Sequence, residues 1–187
     1  RLAQLLDTQN YERQQATRRA QEDAQKEIGD PESLRIIFSF QENYSSGIVG
    51  LVASKLVENY YRPAVIGQVE NELIRASCRS IPEFHITAAL DECADLLVRH
   101  GGHAMAAGFT VQKENLDTLM AALRAIALRE LGEKELRPVL QYDLELPLRD
   151  LKPDILLNLD RLEPTGLDNP AALFVSRNLD VKRVFRM

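Results

Sequence analysis

Residues 99–109 read RHGGHAMAAGF, and the way this stretch folds decides how the segments on either side are joined. Two glycines permit positive φ and close backbone approach. Ala104, Ala106 and Ala107 leave the surface around His103 unobstructed. Upstream, ITAALDECADLLVRH (86–100) has the apolar spacing of an amphipathic helix, and Gly101 would end it. Downstream, AGFTV (107–111) reads as a buried strand. Two readings of the loop stay open on these residues alone. Gly101 and Gly102 can be the C-cap of the preceding helix, with the alanines packed on a sheet. Alternatively, if the segment after His103 is helical, its free N–H groups and dipole make an anion site beside the imidazole.

Working outward, residues 1–28 are rich in Gln, Arg, Glu and Ala, lack Gly and Pro, and read as one long connector helix stopped by GDPE (29–32). Its apolar residues are sparse: Leu2, Leu5 and Leu6, then Ala16, Ala20, Ala24 and Ile28 in four-residue steps. LRIIFSF (34–40) is a strand, and SSGIVGLVASKLVENYY (45–61) a helix with Ser45 or Ser46 as N-cap and Ile48, Val49, Val52, Leu56 and Tyr60 on one face. RPAVIGQV (62–69) and LIRASCRS (73–80) are strands joined by an acidic turn at Glu70, Asn71 and Glu72. ENLDTLMAALRAIALREL (114–131) is a helix with Leu116, Leu119, Met120, Leu123, Ile126 and Leu131 inward. Alternating strands and helices predict an α/β domain over 31–135, a mixed central sheet flanked by helices and preceded by the connector helix of residues 1–30. From 136 the pattern changes. PVLQYDLELPL (138–148) alternates like a strand, DILLNLDRL (154–162) is a short helix, and turn-rich then strand-like residues follow to 185. Residues 136–187 read as the opening of a partial, β-rich second domain, too short for an independent core.

The chain has 187 residues and a net charge of −5, which argues against a broad electrostatic grip on nucleic acid; any contact with phosphates is local. No apolar run of membrane-spanning length and no secretory signal occurs, and Cys78 and Cys93 form no disulfide framework, as in a reducing cytoplasm. The first residue is Arg, not Met, so the chain reads as a piece of a longer one. In IRASCRSIPEF (74–84), Arg75 and Arg79 share a face if the strand continues. Arg79 and Ser80 then offer a guanidinium fork and a hydroxyl to one phosphate. The alternative is two exposed arginines paired with Glu70, Glu72 or Glu83, and Arg62 has a weaker claim than either. His100 and His103 stand three apart, but no nearby carboxylate or thiol completes a metal-ligand set. Glu92 and Asp95 read as the wet face of a helix. No nucleophile elbow, P-loop or zinc-protease motif is present.

GIVGLVASKLVENYYRPAVIG (47–67), RASCRSI (75–81) and GGHAMAAGF (101–109), in that order, resemble the DHH-associated domain of RecJ-type single-strand-DNA exonucleases. LEPTGLDNPAALF (162–174) is similar to the segment that opens the family's oligonucleotide-binding fold. The resemblance implies an exonuclease of DNA repair and recombination that degrades single-stranded DNA from the 5′ end. Its manganese or magnesium would be held by an upstream DHH domain in cis, with no metal site in these residues, so this chain alone would be inactive. It further implies that catalytic His103, with the backbone of Gly101 and Gly102, meets the phosphate. Arg79 and Ser80, with Arg75, would hold a phosphate further along, and Ser46 and Gly47 fall in the family's Trp-x-x-Gly position. This sequence departs from the pattern at Tyr44 for the Trp, at Ala76 and Cys78 for the glycines of G-S-G-R-S, and at Thr165 and Leu167. The competing reading is a DHH-family phosphodiesterase of short oligonucleotides or cyclic dinucleotides, or a non-catalytic nucleic-acid-binding or dimerisation module.

Overall fold

A computed structural model describes residues 2–166 and 168–185, without the side chain of Leu156; Leu167 lies outside the described residues. The chain divides into two compact units, Arg1–Arg137 and Pro138–Met187.

In the first unit a five-stranded mixed sheet has the order β1-β2-β3-β5-β4. Its strands are β1 (Ile37–Gln41), β2 (Ala64–Glu70), β3 (Leu73–Arg79), β4 (Leu97–His103) and β5 (Ala106–Gln112). Only β1 and β2 are parallel; the other neighbours are antiparallel. Its helices are α1 (Leu2–Ile28), α2 (Val49–Tyr60), α3 (Ile86–Asp91) and α4 (Leu116–Leu131). The predicted mixed α/β architecture is present.

Two separate cores lie on the two sides of the sheet. Along α1, Ala20, Ala24 and Ile28 are buried and the first turns are exposed, so the four-residue step marks its packed stripe. Gly29, at φ +66°, ends the helix in the left-handed conformation favoured after a last turn. α1 and α2 bury Ile37, Val52, Ala53, Leu56, Ala64 and Ile66 on one side. On the other, α3 and α4 bury Val65, Ile74, Ala76, Cys78, Phe109, Val111, Leu119 and Leu123. The odd–even split of β2 between these cores follows from the period-two alternation of a strand. Neither Ser45 nor Ser46 caps α2 with its hydroxyl, contrary to expectation. The Ser45 carbonyl instead accepts from the N–H of Ile48 and of Val49, at 3.0 and 3.3 Å.

The larger correction concerns residues 86–100. The helix predicted there stops at Asp91, and Leu97–His103 is an edge strand. The leucines at 96 and 97 fit a helical stripe or a strand equally. What decides is the open hydrogen-bonding edge of β5, invisible to local periodicity. Gly101 and Gly102 are therefore neither a helix C-cap nor the start of a second helix. They lie in β4, paired with Gly108 and Ala107.

Cys78 is fully buried, and desolvation pushes its thiol up to about 12; burial also raises Cys93. Only the thiolate reacts. A disulfide-exchange reagent at pH 8 should therefore label Cys78 about a thousandfold more slowly in the folded chain than in guanidinium. Equal rates would show that the thiol is accessible.

In the second unit, β6 (Leu144–Glu145) pairs in parallel with β7 (Phe174–Val175), and α5 spans Pro153–Leu159. The strands predicted over 138–148 and beyond 174 shrink to these two-residue pieces. Alternation favours an extended chain, but a ladder also needs a partner, and each piece finds only the other among the described residues.

Candidate nucleic-acid interface

The sheet is covered unevenly. On the side of α1 and α2, α2 packs over β2 and β3, whereas Arg75, Arg99, Gly101 and His103 are exposed. Directly opposed residues in an antiparallel ladder present their side chains on the same face. The register therefore sets out three rows on this open face: Arg79–Ala106–His103, then Ser77–Gly108–Gly101, then Arg75–Thr110–Arg99. The face belongs to the α2 side because a Cβ on Gly50, in the first turn of α2, would come 3.2 Å from Arg79 Nη2 and 3.7 Å from Ser77 Oγ. The middle row is small and polar, and a Cβ added to Gly101 would meet nothing within 4 Å. The result is a shallow trough with a low floor and basic side chains at both ends.

Arg79 and His103 flank one intervening strand, so their Cα atoms stand about 10 Å apart on the usual interstrand spacing. Long side chains can converge from there on an anion above Ala106. Arg79 is anchored by Nη1, which donates to the Cys78 carbonyl at 2.9 Å, leaving other donors of its fork available. His103 stands where β4 meets a two-residue turn, Ala104–Met105. That turn is held by the segment before and within α3. The Ser80 N–H donates to Met105 O at 2.9 Å, the Ile86 N–H to Ala104 O at 3.1 Å, and the Thr87 hydroxyl to His103 O at 2.7 Å. Three consecutive carbonyls of the tip are thus satisfied from one segment, which fixes the backbone under the imidazole while leaving the ring exposed.

Other predicted residues fall differently. Ser80 is buried, and its hydroxyl donates to Phe84 O at 2.6 Å. It closes the 80–84 turn and braces the hairpin tip, so the hydroxyl expected to pair with Arg79 on a phosphate is engaged elsewhere. Arg75 lies 3.7 Å from Glu70, both about half exposed, which is the weak surface pairing weighed as its alternative. Ser46 and Gly47 are exposed in the turn leading into α2. Tyr44 is buried, its hydroxyl 2.9 Å from Ser39 Oγ and donating to Ala20 O at 3.2 Å. It ties β1 to α1 at the Trp position of the family motif. Arg62 is buried and donates to the carbonyls of Leu34, Tyr60, Tyr61 and Leu136, a structural clamp. His100 alternates to the far face, where Nε2 lies 2.8 Å from Asp91 Oδ1. His100 and His103 therefore cannot share a metal ion. Among the described residues no cluster of His, Cys, Asp and Glu could hold one, so these residues do not fit manganese or magnesium.

Residues missed from the sequence are Arg99, Thr110, Gly108 and Gly50. Only the register of β4 against β5 brings Arg99 into line with Arg75, and that register depends on a strand mistaken for a helix.

Comparison with known proteins bears directly on this arrangement. The profile of the DHHA1 domain matches residues 33–128, more than half of the chain and all of the sheet. The chain belongs to the DHHA1 domain family. A second profile, the RecJ OB domain, matches residues 142–187. A DHHA1 domain followed by a RecJ OB domain corresponds to the C-terminal region of RecJ-type proteins. The single-stranded-DNA-specific exonuclease RecJ of Bacillus subtilis is 33% identical over 190 residues, covering 98% of this chain and 24% of that protein. The enzyme of the same name from Thermus thermophilus is 34% identical over 146 residues, covering 78% of this chain and 21% of its own length. A crystal structure of Thermus thermophilus RecJ in complex with Mn2+ superposes with a TM-score of 0.77 at 26% identity, over 94% of this chain and 26% of that one. The chain spans about a quarter of the length of the curated relatives it matches.

Proposed function

We propose that this DHHA1 domain grips the phosphate backbone of single-stranded DNA within a cytoplasmic RecJ-type 5′-to-3′ exonuclease of DNA repair and recombination. Its catalytic metal ions, manganese or magnesium, would be held by a DHH domain upstream in cis. The observation that carries the reading is the row Arg79–Ala106–His103, with a guanidinium and an imidazole flanking a small residue on an open face. His103 donates a ring N–H to a non-bridging phosphate oxygen as negative charge develops there, and Arg79 supplies a second donor from the other side. Ala106 and the backbone of Gly101 let the sugar–phosphate chain approach. The Gly102 backbone sets the edge of β4, Arg75 continues the grip, and Ser46 and Gly47 border it before α2. Residues 136–187 open the oligonucleotide-binding domain that carries the strand onward.

The test is a nuclease assay with manganese on a 5′-labelled single strand, comparing this chain with the full-length protein. Degradation by the full-length protein alone is expected; cutting by this chain alone would overturn the division of labour. Arg79→Ala in the full-length protein should weaken DNA binding about tenfold. It should also lower the salt slope of log K by about 0.7, the value for one lost contact to a single strand. An unchanged salt slope would remove Arg79 from the grip.

A further inference from the structure

We propose that Arg75, Thr110 and Arg99 form a second phosphate subsite in the trough, separate from the Arg79–His103 row. The inference rests on reading the trough as a nucleic-acid grip. Three observations carry it. First, β3, β5 and β4 place the three residues in one cross-strand row on the open face, so the two arginines flank Thr110 as Arg79 and His103 flank Ala106. Second, Arg99 is oriented: its Nε donates to Thr110 Oγ1 at 3.1 Å, and Thr110 is only 5% exposed. A buried hydroxyl holding Nε directs the two terminal nitrogens of the fork outward, the pair that binds a phosphate bidentately. Third, between the two rows β5 and β4 present only Gly108 and Gly101, so over these two strands no side chain interrupts a path from one row to the other. Among the described residues the row's one ion pair is Arg75 with Glu70, and an exposed pair at 3.7 Å is weak enough for a phosphate to displace.

The rows are four residues apart along β3, about 13 Å on the strand repeat. An extended single strand covers that distance in about two nucleotides, each phosphate carrying the charge that such basic grooves track. The subsite is therefore specific for chain length rather than for base: it engages oligonucleotides long enough to reach it and ignores shorter ones.

Two-dimensional amide NMR titrations of this chain, at low ionic strength and without metal, separate the two rows. The probes are 5′-phosphorylated oligothymidylates of two and of five residues. The dimer should shift amides around residues 79 and 103 only. The pentamer should add shifts around 75, 99 and 110 and bind about tenfold more tightly. In the double variant Arg75→Gln/Arg99→Gln, both on the exposed surface, the gain from dimer to pentamer should vanish. If the double variant keeps the full gain, the second subsite is overturned, and a uniform loss at both lengths in Arg79→Gln would leave the first row standing. If Arg79→Gln also leaves both affinities unchanged, or the wild-type chain binds neither probe, the grip itself is overturned with the subsite.

Discussion

Replacing His103 by alanine in the full-length protein is expected to lower kcat about a hundredfold and to change KM little, the pattern for a donor that matters as charge develops on phosphate. The fold should survive because the brace on the tip uses the His103 carbonyl, which accepts from Thr87, and leaves the ring uninvolved. Circular dichroism and the urea midpoint of the variant should match the wild type, which separates loss of chemistry from loss of structure. Gly101→Val provides an independent check. Its side chain enters open space, so the sheet persists, but the floor rises between the two basic rows. Binding should weaken with stability unchanged. A kcat for the His103 variant within a factor of two or three of wild type would reduce the imidazole to a surface residue.

The neighbouring glycine behaves in the opposite way. Gly102→Ala should destabilise the first unit by about 3 kcal/mol, the sum of a disfavoured backbone conformation and a steric clash. Gly102 has φ +152°, where an L side chain is strained. A Cβ there would stand 2.5 Å from Ala107 Cα and also strike the Ala106 carbonyl oxygen, both in β5. Backbone cannot yield as a flexible side chain does, so β4 would have to part from β5. Urea denaturation measures the loss, with Gly101→Ala as the control, expected within about 0.5 kcal/mol of wild type as for an ordinary surface change. A loss below about 1 kcal/mol for Gly102→Ala would mean that the hairpin adjusts freely.

Much of this was legible from residue patterns because local chemistry and global fold agree. The apolar runs read as strands at 34–40 and 62–69 overlap β1 and β2, and the Ala20–Ala24–Ile28 step marks the buried stripe of α1. Arg75 and Arg79 do share a strand face, as alternation requires. What failed was non-local. A helical spacing of leucines at 90, 96 and 97 outweighed two glycines, because nothing in 86–100 announces that β5 has a free edge. Once that strand was misread, Arg99 could not be aligned with Arg75, nor His103 with Arg79. Ser80 was misjudged for a related reason. A small hydroxyl after an arginine suits a phosphate, but the same hydroxyl closes a turn when a carbonyl lies four residues ahead, and only the folded backbone shows which.

The bracing of the hairpin tip has a consequence for affinity. Arg79 immediately precedes the segment that holds the tip, and His103 is the first residue that segment holds. Ile81, Phe84 and Ile86, within the same segment, are fully buried in the core on the far side of the sheet. Both side chains therefore stand on backbone whose freedom was lost when the protein folded. In the proposed grip a phosphate arriving between them would order side chains only, and that smaller entropic cost on binding is the advantage of preorganisation.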